Sequence, residues 1–589
     1  MKTKINIFLT AICAFAASSC SLDEYNPSGA TADIVYNTEA GMAYLTNAAY
    51  FNFSSQFYGR EDIVFLSEGG TDLWYMAGKG TYAAQLMDYS ERLDGTVGQI
   101  KNTWQRLYEI INYANAGLDR INSVAFSTQE AKDGREGEFR FIRAYAYWMI
   151  AEFYGNVTLR TSETKGVVLT AERSPLKDFY DLIIGDLQEA AKLLPVSQPE
   201  YGRAEKKAAY GLLARTALTR ASYLEYFENN KTEADKYYTI ALNAAKELIN
   251  NQTTYNCSLY NTFEEVFLPA NNKNNKETLW AVTHSTISSL NQQSGNPNRL
   301  FKWYIAQYTG WCGFASSETA ATLEYGRDNS RYMMPTKFLL NLFNENIDSR
   351  YYGSFLEAYP LPSDRPAYSW DATQIARFRK SFSATDNITI LPNDTALFFT
   401  KKQIQDKAAL RYGVKDINDT YNADGSISND ATNNIYYPSL RKFRDPDRTP
   451  NTDIGTKNVN VMRFAEMYLV AAEASWRLGD ANSAASYINV LRTRAAIKTP
   501  VDHTADMQIS ASQINLDFIL DERARELCGE HLRWFDLKRT KQLENRLGPG
   551  KANPDITAFN PAKHYLRPIP QSELDVMLNK DEYGQNPGY

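Results

Sequence analysis

The stretch VMRFAEMYLVAAEASWRLGDANSAASYINVLRTRA, Val461–Ala495, decides the fold. Val461, Phe464, Ala465, Tyr468, Leu469, Ala472 and Trp476 recur at i, i+3, i+4, i+7, i+8, i+11 and i+15, which puts them in one apolar stripe along an α-helix. Leu478, Gly479 and Asp480 interrupt it. Glycine takes the left-handed conformation that ends a helix, and the Asp480 carboxylate can accept an N–H that opens the next one. Ala484, Ala485, Ile488, Leu491 and Ala495 form a second stripe, with Pro500 just beyond it. A corner this short makes an antiparallel hairpin, which cannot bury both of its faces alone. The rest of the chain must therefore supply hairpins for it to stack on, with specific function in what lies between them.

The corner, with Ala484 and Tyr487 after it, resembles that of a tetratricopeptide (TPR) repeat. The same periodicity predicts helices over 37–52, 103–123, 135–154, 204–223 and 232–250, and over 516–541 after the hairpin. Ser174 and Pro175 read as a capping serine and a first-turn proline opening another helix, which Pro195 ends. Spacing between helices is irregular, so the repeat is degenerate. Residues 67–98 form an irregular stretch rich in Gly, Asp and aromatics. From 255 to 458 periodicity is lost, apart from a helix near 335–343 and strand-like pieces such as 278–283. So long a run without helices is expected to be a binding insertion.

Composition bounds the function. The 589 residues include 63 basic and 69 acidic ones, net −6, and no long basic run, so nucleic acid is a poor partner. Aromatics reach 13%, with 39 Tyr, more than a helical core usually needs. Five cysteines show no C-x-x-C and four histidines are scattered, which argues against a metal site; buried free thiols are expected for Cys257, Cys312 and Cys528. Asp424-Gly425-Ser426 fails the calcium-loop pattern at both anchor positions, Thr420 and Ala431. Gly78-Lys79-Gly80 lacks the earlier glycine of a phosphate loop, and no nucleophile elbow or H-E-x-x-H occurs. Paired carboxylates for glycoside hydrolysis stay open at this point, since any two of 69 acids could meet in space.

Residues 1–19 read as a secretory signal: Lys2 and Lys4, an apolar run from Ile5 to Ala17, then small residues. Cys20 directly after them looks like the lipidation site of a bacterial lipoprotein, with 20–36 as a tether. The early acids Asp23 and Glu24 resemble export signals of surface-exposed lipoproteins.

Four stretches carry a wider resemblance: GEFRFIRAYAYWMIAEFYGNVTL ending at Leu159, MRFAEMYLVAAEASW from Met462, ELCGEHLRWFDLKR ending at Arg539, and LRPIP with QNPGY at the carboxyl end. Thr158 stands where the pattern usually has proline. In this order they resemble the SusD/RagB family, surface lipoproteins of polysaccharide-utilisation systems. The resemblance implies an all-α fold, a solenoid of four degenerate TPR-like hairpins with large irregular insertions and a few short strands. The chain then divides into an N-terminal helical region at 37–254, the loop-rich insertion at 255–458 and a C-terminal helical region at 459–589, in one structural domain. The resemblance also implies no catalysis, no cofactor, an outer-membrane location and a SusC-like TonB-dependent transporter as partner. Rivals are a peptide-binding relative, which would capture an extended backbone, and a secreted glycoside hydrolase.

A pyranose ring settles its C–H face on an aromatic π-cloud while planar polar groups meet its hydroxyls. Asp72, Trp74, Tyr75 and Lys79 offer this in the first insertion, and Trp303, Tyr304, Tyr308 and Trp311 in the second. The resemblance implies glycan-binding aromatics in the same two regions. The alternative role for these rings is to pin the insertions to the solenoid. Trp104, Trp148, Trp476 and Trp534, in helical segments, are expected to be packing residues.

Overall fold

The computed structural model describes residues 32–58, 61–79, 83–287, 298–314, 320–327, 332–430, 433–450, 452 and 454–589, so the signal, Cys20 and most of the tether lie outside the described residues. Helices form its frame: α1 (Glu39–Asn52), α2 (Gly98–Arg120), α3 (Gln129–Tyr154), α4 (Leu176–Leu193), α5 (Lys206–Tyr226), α6 (Lys231–Asn250), α7 (Phe464–Arg477), α8 (Ala481–Ala495), α9 (Leu516–Leu527) and α10 (Arg533–Arg539). From α2 to α8 each helix packs on the next, and α6 packs on α7 across the whole 255–458 segment. The fold class is the helix-dominated one expected, and this sequential stacking is consistent with TPR-like pairs.

The α7–α8 corner forms as its residues dictate. Gly479 sits at φ +92°, and the Asp480 carboxylate accepts the Ser483 N–H at 2.9 Å. Ala484, Ile488 and Leu491 are buried on the stripe they define.

Three local expectations are corrected. Val461 does not begin the helix. Val459–Arg463 is a strand antiparallel to Thr278–Val282, with Val459 opposite Val282 and Arg463 opposite Thr278, because this β-branched stretch finds a ladder partner on either side of a register shift at Val461. Ser174 does not cap α4: its hydroxyl instead accepts the Leu159 N–H at 3.3 Å, and Pro175 takes the N-cap position. Residues 516–541 are not one helix, since Gly529 at φ +79° and His531 at φ +64° break it between α9 and α10.

Seven strands serve the argument: β1 (Trp74–Met76), β2 (Thr278–Val282), β3 (Met333–Pro335), β4 (Ala358–Pro360), β5 (Thr395–Phe399), β6 (Gly413–Lys415) and β7 (Val459–Arg463). β1 pairs antiparallel with β3, and β5 lies between β4, antiparallel, and β6, parallel. The long insertion is therefore tied to both the first insertion and the helices, and it is not structureless.

Where the solenoid meets the insertion the core is ionic. Arg463 donates to Glu530 at 2.6 and 2.9 Å, to Glu277 at 3.0 Å and to Glu526 at 3.3 Å. Arg494 reaches Glu277 and Glu526, Arg350 reaches Asp348 and Glu522, and Lys442 reaches Glu530. All of these side chains are buried. Burial alone would raise the Glu526 carboxyl, but Arg494, Arg463 and Arg350 outweigh it and bring it down to about 2. A buried charge is tolerated only when so paired and hydrogen-bonded. Cys257, Cys312 and Cys528 are free and buried.

Candidate functional site

The first insertion is held by the same signature that marks the carboxyl third of the chain. Arg533 of α10 clamps Asp72 through two hydrogen bonds of 2.7 and 2.6 Å, and Arg546 adds a third at 3.2 Å. Asp72 is fully buried; burial would raise its carboxyl, but the two guanidiniums hold it below the usual range. Glu68 accepts the Leu532 N–H at 3.0 Å and the Trp74 indole N–H at 2.7 Å. Its carboxyl is pushed up to about 7 by burial.

This arrangement corrects most of the expected sugar platform. Trp74 is 0% exposed and meets Tyr304 edge to face with ring centres 4.8 Å apart. Tyr75 is 3% exposed and donates its hydroxyl to the Gly425 carbonyl. Trp303 stacks on Tyr332, and Tyr308, itself buried, stacks on Tyr359 at 5.0 Å and donates to the Gly326 carbonyl. A ring without accessible surface cannot receive a sugar face. Asp72, Trp74, Tyr75, Trp303, Tyr304 and Tyr308 instead pin the insertions. The Lys79 side chain lies outside the described residues.

Trp311 differs. It is only partly buried, and it carries the Arg377 guanidinium 4.6 Å from its ring centre. Its indole N–H has no partner among the described residues. Arg377 in turn donates to the Tyr436 hydroxyl at 3.1 Å. The two insertions meet through the segment that holds Tyr436: the Gly78 N–H donates to the Asn434 carbonyl at 3.0 Å and the Gln307 N–H to that of Ile435 at 3.0 Å.

Beside β1 opens a cleft of about 270 Å³ lined by Tyr75, Met76, Met87, Asp88, Asn553 and Asp555. The buried Asn553 amide donates to the carbonyls of Thr71 and Trp74, and its own oxygen has no partner among the described residues. Asp88 and Asp555 add carboxylates that accept the N–H groups of Ser90 and Ile427. The cleft is rich in acceptors, and a polyhydroxyl ligand supplies donors. Sequence reasoning missed Asp88, Arg377, Asn553 and Asp555, which lie in segments without periodicity. Asp424, weighed for calcium, spends its carboxylate on Ser426 in a local turn.

A stacked-helix frame that bears large insertions, with a partly open indole and an acceptor-rich cleft on them, is the architecture of a binding protein. The chain belongs to the SusD family, which matches residues 224–589; residues 22–218 match the family described as starch-binding associating with outer membrane. It is 25% identical over 579 residues to SusD-like protein P2 of Formosa agariphila, covering 97% of each chain. It is 24% identical over 500 residues to the starch-binding protein SusD of Bacteroides thetaiotaomicron, covering 82% of this chain and 77% of that one. A solved laminarin-binding SusD-like protein superposes with a TM-score of 0.60 at 19% identity, over 94% of this chain and all of the other, which establishes the shared fold. Members of the family are substrate-binding proteins, and this chain is not an enzyme.

Proposed function

We propose that the chain is a lipid-anchored outer-membrane protein that captures oligosaccharide at the surface where its two insertions meet and delivers it to a SusC-like TonB-dependent transporter. The observation that carries the binding reading is Trp311, a partly accessible indole flanked by the Arg377 guanidinium, a pairing of π-face and planar donor that suits a pyranose. The acceptor-rich cleft by Asn553 and Asp88 supports it, and so do family membership and the starch-binding relative. Lys79 belongs to this proposal on sequence grounds alone.

Affinity should be modest, on the order of 10 μM to 1 mM, because exposed stacking yields little surplus after the sugar is ordered. Calorimetry of Trp311→Ala against a panel of soluble polysaccharides tests it: binding should fall about tenfold or more at unchanged melting temperature. Full retention of binding would remove Trp311 from the site. For the anchor, Cys20→Ala should shift the protein from the outer-membrane fraction to soluble material. Unchanged membrane retention in cells lacking the transporter would end that part of the reading.

A further inference from the structure

Away from both insertions, α2 and the loop at 158–171 enclose a groove of about 540 Å³. That lies within the range of about 300–1,000 Å³ usual for small-ligand sites. Trp104, its ring centre 4.9 Å from that of Tyr108, lines the groove, and so does the partly exposed Tyr113. Four polar ends are unspent there. The Tyr113 hydroxyl, the Gln105 amide, the Arg160 guanidinium and the Glu573 carboxylate line the groove, and none makes a hydrogen bond or ion pair with another described residue.

Much of the backbone beside these polar ends is, by contrast, already engaged. The N–H groups of Arg160, Glu163, Thr164 and Ala171 donate to the side chains of Tyr147, Asp119, Asn112 and Asn579 at 2.8, 2.9, 2.8 and 3.1 Å. The carbonyls of Thr158, Arg160 and Ser162 accept from Tyr108, Tyr147 and Asn115. An extended peptide needs a run of free backbone groups to pair with, and the N–H groups of Arg160, Thr164 and Ala171, three of the four loop residues that line the groove, are already given to side chains. A neutral sugar needs rings and planar side chains able both to donate and to accept; of the charged groups lining the groove, Glu109 is paired with Arg106, which leaves one guanidinium and one carboxylate, Arg160 and Glu573, and no unpaired net charge with which to select an ion.

We infer that this groove is a second carbohydrate site, sized for a di- or trisaccharide and independent of Trp311. Tyr113 supplies the stacking face, Glu573 and Gln105 accept from ring hydroxyls, and Arg160 donates to them.

The test uses the mature chain with its methionine methyls labelled, since Met577 lines the groove and reports occupancy. Maltotriose, laminaritriose, cellotriose, xylotriose and triglycine are each added at ~10 mM, above the millimolar dissociation constants at the weak end of specific binding. At least one trisaccharide should shift the Met577 signal, and triglycine should not. The double variant Tyr113→Ala, Glu573→Ala should weaken that response about tenfold with the melting temperature kept. Trp311→Ala should leave it untouched, so this site and the insertion surface can fail separately. If the double variant is poorly folded, the single Glu573→Gln replaces it and should still weaken the response. No shift with any trisaccharide, an equal shift with triglycine, or a response indifferent to the variants would overturn the assignment.

Discussion

Arg463→Leu should lower the free energy of unfolding by about 3–5 kcal/mol, the cost of leaving buried charges without their partner. Arg463 is 1% exposed and is the guanidinium that Glu277, Glu526 and Glu530 share. Leucine fills part of the volume but strands three carboxylates between β2, α9 and the turn before α10. Arg494 and Lys442 can still reach them, which keeps the loss from growing further. Arg463→Lys retains the charge but not the fork that serves several acceptors, so it should fall between wild type and leucine. Equilibrium urea denaturation followed by far-ultraviolet circular dichroism measures both. A loss below about 1 kcal/mol for the leucine variant would mean that the network is hydrated and not a closed core.

Trp74→Ala should behave as a core truncation, costing about 3–5 kcal/mol. Three effects add: the indole volume is lost, Tyr304 loses its edge-to-face partner, and Glu68 loses its indole donor and keeps only backbone N–H groups of Leu532 and Arg533. Because Glu68 is already pushed up to about 7 by burial, removing a donor pushes it further toward the neutral acid. Glycan binding measured well below the denaturation midpoint should survive, in contrast to Trp311→Ala. If Trp74→Ala abolished binding while leaving the melting temperature unchanged, the ring would have to reach the surface in solution.

How far the residues foretold this can be traced in individual cases. The α7–α8 corner was legible because Gly479 and Asp480 act locally: a φ of +92° and a cap bond need no distant partner. The strand at Val459–Arg463 was not legible, because a stripe of period 3.6 runs on through Val461 and only the pairing with Thr278–Val282 decides against it. The resemblance pointed to aromatics in the first and second insertions. The exposure of their rings was not legible, because burial is set by what lies above a ring. Trp74 is covered by Tyr304, from a segment more than two hundred positions away, while Trp311 has Arg377 on its face and stays partly open. Asn553 and Asp555 sit in a turn-rich tail whose sequence gives no hint that it borders β1.

The clamp of Arg533 on Asp72 also fixes when the molecule can be finished. The groups it joins are 461 positions apart, Glu68 and Leu532 are 464 apart, and the Asn586 amide reaches Tyr154 across 432. At a synthesis rate of about 5–20 residues per second, Leu532 follows Glu68 by roughly 20–90 s. Over that interval Glu68 and Asp72 have neither of their α10-side partners, and the aromatic segment they anchor has nothing to close against. A chain stopped short of α10 could stack its early helices yet would leave Trp74 and its neighbours open to aggregation. The last tenth of the sequence thus acts as a completion check on the first insertion.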